Sequence, residues 1–299
     1  WAVGSGGILL LTFSVYQIFV VLYIFGTVSL LLLQAVREVS EGAQPEGMRL
    51  IKRVVPYCAV FLAAFLLNTM ITRLFFGSSD YLQNQIYWGR ASIKDCFHAI
   101  AGHVVKAFTG YGSIFYNPGL GVLALIDLIL LLIYLSSHGR GKRGGKGFIL
   151  FLYLALLATP FLMTVLLGGT PAMRSQMVLP AVTGFLGYLG IWLVQIQESY
   201  LRRRQREALI YCCLAVCLLG GAEQAKVTGR LYYTDRCRYE QDTALGRSVI
   251  EKIEQIKPDE RMPVVVMGGR EFAGNHSCVT GEVIGRSFFN YDREVEPVP

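Results

Sequence analysis

Three short stretches of the sequence place cations, hydroxyls and amides where they could grip a phosphate. The run from Thr170 to Gln176 sets Arg174 beside Ser175 and Gln176 between two apolar segments. A planar guanidinium can hold a phosphate through two parallel hydrogen bonds, which a point charge cannot do. Arg90 and Lys94 head a second polar stretch, with Asp80 and Asp95 as polar partners. Tyr16 and Gln17 form a third polar step beside an apolar run. Each group also has a plainer reading. Arg174 fits a cation snorkelling from a helix end, Tyr16 fits an interfacial aromatic belt, and the segment after Ser92 fits a loop helix packed on its neighbours.

Other motifs fail on their own terms. In Gly139 to Gly147, Gly145-Lys146 is followed by Gly147 instead of Ser or Thr, and Arg140 stands where a phosphate loop needs glycine. The short apolar run Pro263 to Gly269 is not followed by the glycine fingerprint of a dinucleotide site. His98 and His103 lie five apart, off a common helix face, and read as satisfied polar or interfacial side chains. The seven cysteines include no C-x-x-C pair, and no Ser/His/Asp set is visible. No cofactor is evident, and the need for a divalent metal stays open. Asn275-His276-Ser277 is a formal glycosylation sequon.

The elements that position these groups follow from composition. Of the 299 residues, 53% are hydrophobic and 16% charged, against roughly 25% charged in a soluble domain. Apolar blocks of near-bilayer length, about 20 residues, occur at 2–14, 16–36, 55–76, 119–136, 148–168, 178–197 and 207–222. This predicts an all-α membrane bundle of about six to seven spans over residues 1–222. Asn68 and Arg73 interrupt the third block, and such groups are costly unless they face protein or water. The chain opens on Trp1 with apolar sequence, so it is expected to begin inside a larger protein.

Lysine and arginine collect at 37–54, 138–147 and 201–206. Short basic loops face the cytoplasm, so 77–118, 169–177 and the tail from about 223 are expected outside. The net charge of +7 is thereby spent on topology and points to no nucleic-acid partner. From Ser92, apolar residues recur every three or four positions, and Ser92 with Asp95 makes a capping-box start. An amphipathic helix in the interface plane is predicted there. The tail 223–299 is predicted to be a small extracytoplasmic α/β domain, with a helix over 241–256 and a strand at 263–269. An oxidising exterior would permit a disulfide between Cys237 and Cys278, which spacing leaves open.

In order and spacing, the Tyr16-Gln17 step, the Arg174-Ser175-Gln176 turn before Leu179-Pro180, the PVVVMGG run and the later Ile284-Gly285-Arg286-Ser287-Phe288-Phe289 with Tyr291-Asp292 resemble one family. It is the bacterial glucosyltransferases of O-antigen modification, the Gtr type II glucosyltransferase-domain group. The resemblance implies a GT-C-like multi-pass enzyme of the cell membrane. It would move a sugar, glucose by that resemblance, from a polyprenyl-phosphate donor to a cell-surface polysaccharide or other glycan acceptor on the outer face. It also implies a catalytic carboxylate on a first outward loop, which lies upstream of this chain. Arg174, then Arg90 and Lys94, would cradle the lipid phosphate, with Gln176, Tyr16 and Gln17 beside them. A flippase or transporter of lipid-linked sugars would also need outward basic groups, but no internal repeat is visible. A non-catalytic membrane subunit whose tail recruits a partner is the other reading.

Overall fold

The computed structural model describes residues 2–15, 19–41, 47–75, 86–137, 143–197, 201–256, 268–281 and 284–290. Tyr16, Gln17, Asp80 and the strand expected from Pro263 lie outside these residues, except that Gly268 and Gly269 are irregular.

Nine α-helices are described: α1 Ala2–Val15, α2 Phe19–Ser40, α3 Gly47–Phe75, α4 Ile93–Thr109, α5 Gly119–Ser137, α6 Arg143–Ala158, α7 Leu162–Leu167, α8 Val178–Ile196 and α9 Arg203–Ile256. Short 3-10 turns, Thr159–Phe161 and Met173–Gln176, join α6 to α7 and precede α8. Pro160 explains the first turn, because a residue without an N–H cannot continue the α ladder.

Six helical stretches are long and apolar enough to cross a bilayer: Phe19–Ser40, Val54–Phe75, Gly119–Ser137, Gly145–Leu167, Met173–Ile196 and the one within Arg203–Ile256. The apolar blocks predict all six. The block at 2–14 becomes α1, a shorter apolar helix.

Among the described residues no strand forms, so the α/β expectation for the tail finds no support there, and most of the run expected as its strand lies outside them. The helix foreseen at 241–256 is the last part of α9, which runs unbroken from Arg203. The reason is local: from 223 onward the charged residues fall at helical spacing and form ion pairs along the helix itself. Arg236 pairs with Glu240 at 3.0 Å, and Arg238 pairs with Asp235 at 2.9 Å and Asp242 at 3.1 Å. Cys237 and Cys278 are both free thiols.

The chain divides into two compact units, Trp1–Gly220 and Gly221–Pro299. In the first, α5 packs most extensively on α8. Leu123 and Leu131 of α5 are sealed with Val182, Leu186, Leu189 and Leu193 of α8. Lipid tails are as apolar as leucine, so close packing and internal hydrogen bonds must hold such helices together. Both are visible. The Tyr134 hydroxyl donates to the Val36 carbonyl at 3.0 Å, Tyr153 to that of Ala124 at 2.5 Å, and the Gln197 amide to that of Leu130 at 3.1 Å. The Ser14 hydroxyl meets the Asn68 side-chain oxygen at 2.8 Å between α1 and α3. Asn68 is thus buried and bonded, while Arg73 is exposed in the last turn of its helix.

Glycines set the closest approach. A Cβ on Gly190 of α8 would lie 2.5 Å from a carboxylate oxygen of Asp127, and one on Gly187 would lie 2.5 Å from the sulfur of Cys217. Asp127 is fully buried, and neither of its oxygens has a hydrogen-bond partner among the described residues.

In the second unit, the segment after Gly268 is pinned to α9 by polar side chains. Arg230 donates to the Ser277 and His276 carbonyls, and the Thr234 hydroxyl accepts from the Val279 N–H. Asp242 accepts from the Ser287 hydroxyl at 2.7 Å and the Phe288 N–H at 2.8 Å. Burial pushes the Asp242 carboxyl up, but these donors and Arg238 outweigh it and hold the group below the usual carboxylate range.

The Gly190 contact carries a direct expectation. Gly190→Ala should destabilise the folded chain by about 1–3 kcal/mol, the usual cost of overpacking. A lowered midpoint in thermal unfolding of the detergent-solubilised protein checks it, and an unchanged midpoint would show that α5 and α8 are not packed this closely.

Candidate functional site

The site is built at the end of the first unit opposite the basic helix ends, where α4, α7 and the turn before α8 meet. Local sequence makes each piece. Ser92 caps α4 with extended backbone, its hydroxyl oxygen accepting from the Asp95 N–H at 3.1 Å while donating to the Asp95 carboxylate at 2.6 Å. Ser92 is thus the cap at the start expected from the sequence, with Asp95 bonded to its hydroxyl. Gly110 ends the helix in the left-handed region at φ 72°. Asp95 is therefore committed to its own helix start.

One buried side chain ties the pieces together. The Gln176 amide donates through Nε2 to the Pro171 carbonyl at 2.8 Å. A carbonyl only accepts, so this bond fixes which end of the amide is which. The side-chain oxygen then accepts from the Tyr116 hydroxyl at 2.9 Å and from His103 Nε2 at 3.3 Å. That assigns the proton of His103 to Nε2, leaving Nδ1 to accept from the Thr164 hydroxyl at 2.7 Å. His103, Thr164 and Gln176 are all buried. Phe161 meets the His103 ring edge-on at 5.4 Å.

The chain between α7 and the turn is held from a second side. The Trp88 indole donates to the Val165 carbonyl at 2.8 Å, and the Tyr87 N–H to that of Leu167 at 2.8 Å. Gly168, at φ +73°, lies under the Trp88 ring, where a Cβ would approach to 2.9 Å; a Cβ on Gly169 would come within 2.7 Å of the Tyr87 ring. Two glycines are required here, one for its backbone and both for space.

The predicted residues fall out as follows. Arg174 is exposed on the turn whose last residue, Gln176, is buried. Arg90 and Lys94 are exposed, Arg90 in the turn after Trp88 and Lys94 in the first turn of α4. The Arg90 turn and the Arg174 turn are both fastened to the segment 165–171. Tyr16, Gln17 and Asp80 lie outside the described residues.

Sequence reasoning treated His103 as a satisfied polar group, and it is one, but its partners could not be read. Tyr116, Thr164 and Trp88 gave no signal, because the bonds that define them span 60 to 77 residues of chain. Asp127, one carboxylate inside a leucine-rich run, could have been noticed as an intramembrane charge.

Burial lowers the His103 pKa below its ordinary value, the Gln176 bond raises it in part, and nearby Lys106 adds to the lowering. The folded state therefore holds a neutral ring, while the unfolded chain takes up a proton near pH 6.5. Stability conferred by this group is complete above about pH 6.5 and is lost as pH falls toward the lower folded value. Thermal unfolding at about pH 7.5 and about pH 5.5 should show a lower midpoint in acid, with a smaller acid loss in His103→Gln. Equal acid losses in the two proteins would remove His103 from the account.

The comparisons with known proteins bear on this arrangement. The family model described as glucosyl transferase GtrII matches residues 1–191, which run from α1 to near the end of α8 and include Arg90, Lys94, His103 and the Arg174 turn. No curated protein and no solved structure matches the chain. With the family model covering well over half of a chain whose described residues include six bilayer-length helices, this multi-pass membrane protein belongs to the GtrII glucosyltransferase family.

Proposed function

We propose that this glucosyltransferase takes its sugar from a polyprenyl-phosphate donor and passes it to a cell-surface polysaccharide on the outer face of the membrane. The arrangement that carries the reading is the Gln176 brace. It buries one end of a four-residue turn so that the other end presents Arg174 as an exposed guanidinium, on the same fastened segment that anchors the Arg90 turn.

Breaking the bond between a sugar and a lipid phosphate leaves negative charge on the phosphate oxygens. A cation aimed at that charge lowers the barrier most when it is held in place beforehand. In this reading Arg174 takes the departing phosphate through its fork, with Arg90 and Lys94 adding positive potential from the α4 side. Gln176 acts as a positioning residue. Its hydrogen bonds are spent on Pro171, Tyr116 and His103, which set the height and angle of the turn.

The basic ends of α2, α3, α6 and α9 would face the cytoplasm by the charge bias of short loops. The Arg174 end, with the unit from Gly221, would then lie outside. An outer-face site suits a polysaccharide acceptor already exported, and a polyprenyl-phosphate sugar is activated without a nucleotide.

The reading is tested by transfer of radiolabelled glucose from polyprenyl-phosphate-glucose to a cell-envelope acceptor, in membranes containing the full-length protein. Arg174→Lys should transfer at least about tenfold more slowly at equal protein level, since a point charge replaces a bidentate fork. Turnover equal to the parent would remove Arg174 from this role. Absence of transfer with several sugars, together with movement of labelled lipid across sealed vesicles, would overturn the donor assignment in favour of a lipid-linked-sugar flippase.

A further inference from the structure

A groove of about 1190 Å³ lies between α2, α3 and α8 at the basic end of the first unit, away from the Arg174 turn. It is lined along α2 from Thr27 to Glu41 just past the helix end. Fourteen residues of helix rise about 21 Å. Half a bilayer with its headgroup layer measures about the same, close to half of the 40–45 Å total.

The two ends of the groove differ in chemistry. Its inner walls are Leu30, Leu33, Tyr57 and Trp192, and Leu30 and Tyr57 are 69% and 46% exposed. Among the described residues its mouth carries Arg37, Glu38, Glu41 and Arg49, two charges of each sign. Arg37 is tethered at the mouth by its Nε contact with Glu41 at 2.8 Å. That pair is largely exposed, so its own worth is small and either partner can share its charge with an incoming group.

We propose that this groove is a binding site for a zwitterionic aminophospholipid. One acyl chain lies along Leu30, Leu33, Tyr57 and Trp192. The phosphate sits between Arg37 and Arg49, where guanidinium forks recognise it, and the ammonium is taken by Glu41 and Glu38. Charge balance selects this headgroup. A headgroup whose only charge is its phosphate leaves the two carboxylates unanswered, whereas an ammonium beside the phosphate answers both signs. A polyprenyl-phosphate sugar has no ammonium to offer. The proposal does not depend on the identity of the sugar donor, whose phosphate is assigned to the opposite end.

The test is photo-cross-linking of the full-length protein in mixed-lipid vesicles, with three probes: phosphatidylethanolamine and phosphatidylglycerol, each carrying a diazirine on one acyl chain, and a diazirine-bearing polyprenyl phosphate. Cross-linked peptides are mapped by mass spectrometry. The phosphatidylethanolamine probe should label the peptides holding Leu30, Tyr57 or Trp192. Arg37→Gln with Arg49→Gln should cut that labelling about tenfold, as loss of charge-assisted hydrogen bonds would. Leu30→Trp fills the groove from an exposed position without touching the mouth and should cut it comparably; it carries the test if the arginine variants fail to fold. Equal labelling by both phospholipids, insensitive to the variants, would overturn the proposal and mean ordinary bulk lipid. Preferential labelling by the polyprenyl probe would overturn it too and give the groove to the donor, as would no labelling of these peptides at all.

Discussion

The geometry of the candidate site depends on the Gln176 side chain. Its amide makes three hydrogen bonds in a buried setting, and each reaches a different part of the chain: the Pro171 carbonyl in its own loop, Tyr116 in the connection to α5, and His103 in α4. An amide in an apolar interior costs free energy unless its groups are paired. Satisfying this one therefore forces α4, the 110–118 connection and the turn before α8 into a single arrangement. Arg174 inherits its position from that arrangement, two residues from the brace.

The same constraint explains the rest of the bundle. Several polar side chains that enter the first unit are bonded to a backbone carbonyl or to another side chain, as with Tyr134, Tyr153, the Gln197 amide nitrogen and the Ser14–Asn68 pair. Glycine then decides how near the helices come, since Gly187 and Gly190 leave room that a methyl group would fill. Asp127 stands apart. Its carboxyl group is enclosed against Gly190, and neither oxygen has a hydrogen-bond partner among the described residues.

The two ends of the first unit are chemically unlike. At one, a polar network is buried and cations project from short turns fastened by Trp88, Tyr87 and Gln176. At the other, charges of both signs rim a groove between α2, α3 and α8. Rigid, pre-oriented polar groups at the first end are what positioning a reacting group requires. The tail follows different rules. Its irregular segment is held on α9 by side chains such as Arg230, Thr234, Gln241 and Asp242 bonding to backbone groups.

Much of this was legible in the sequence because the signals are local. Apolar blocks of bilayer length, the Ser92 to Asp95 cap and the clustering of arginines at alternate helix ends each depend on residues a few positions apart. Local periodicity misled once, at the tail. A helical pattern over 241–256 does not reveal that the helix began at Arg203. What tertiary structure alone decided is the meeting of His103, Tyr116, Thr164 and Gln176, the stacking of Trp88 over Gly168, and the enclosure of Asp127 against Gly190. Membrane insertion is a sum over neighbouring residues and can be read along the chain. A polar network is a set of distances between residues far apart in sequence, and those distances exist only once the helices have packed.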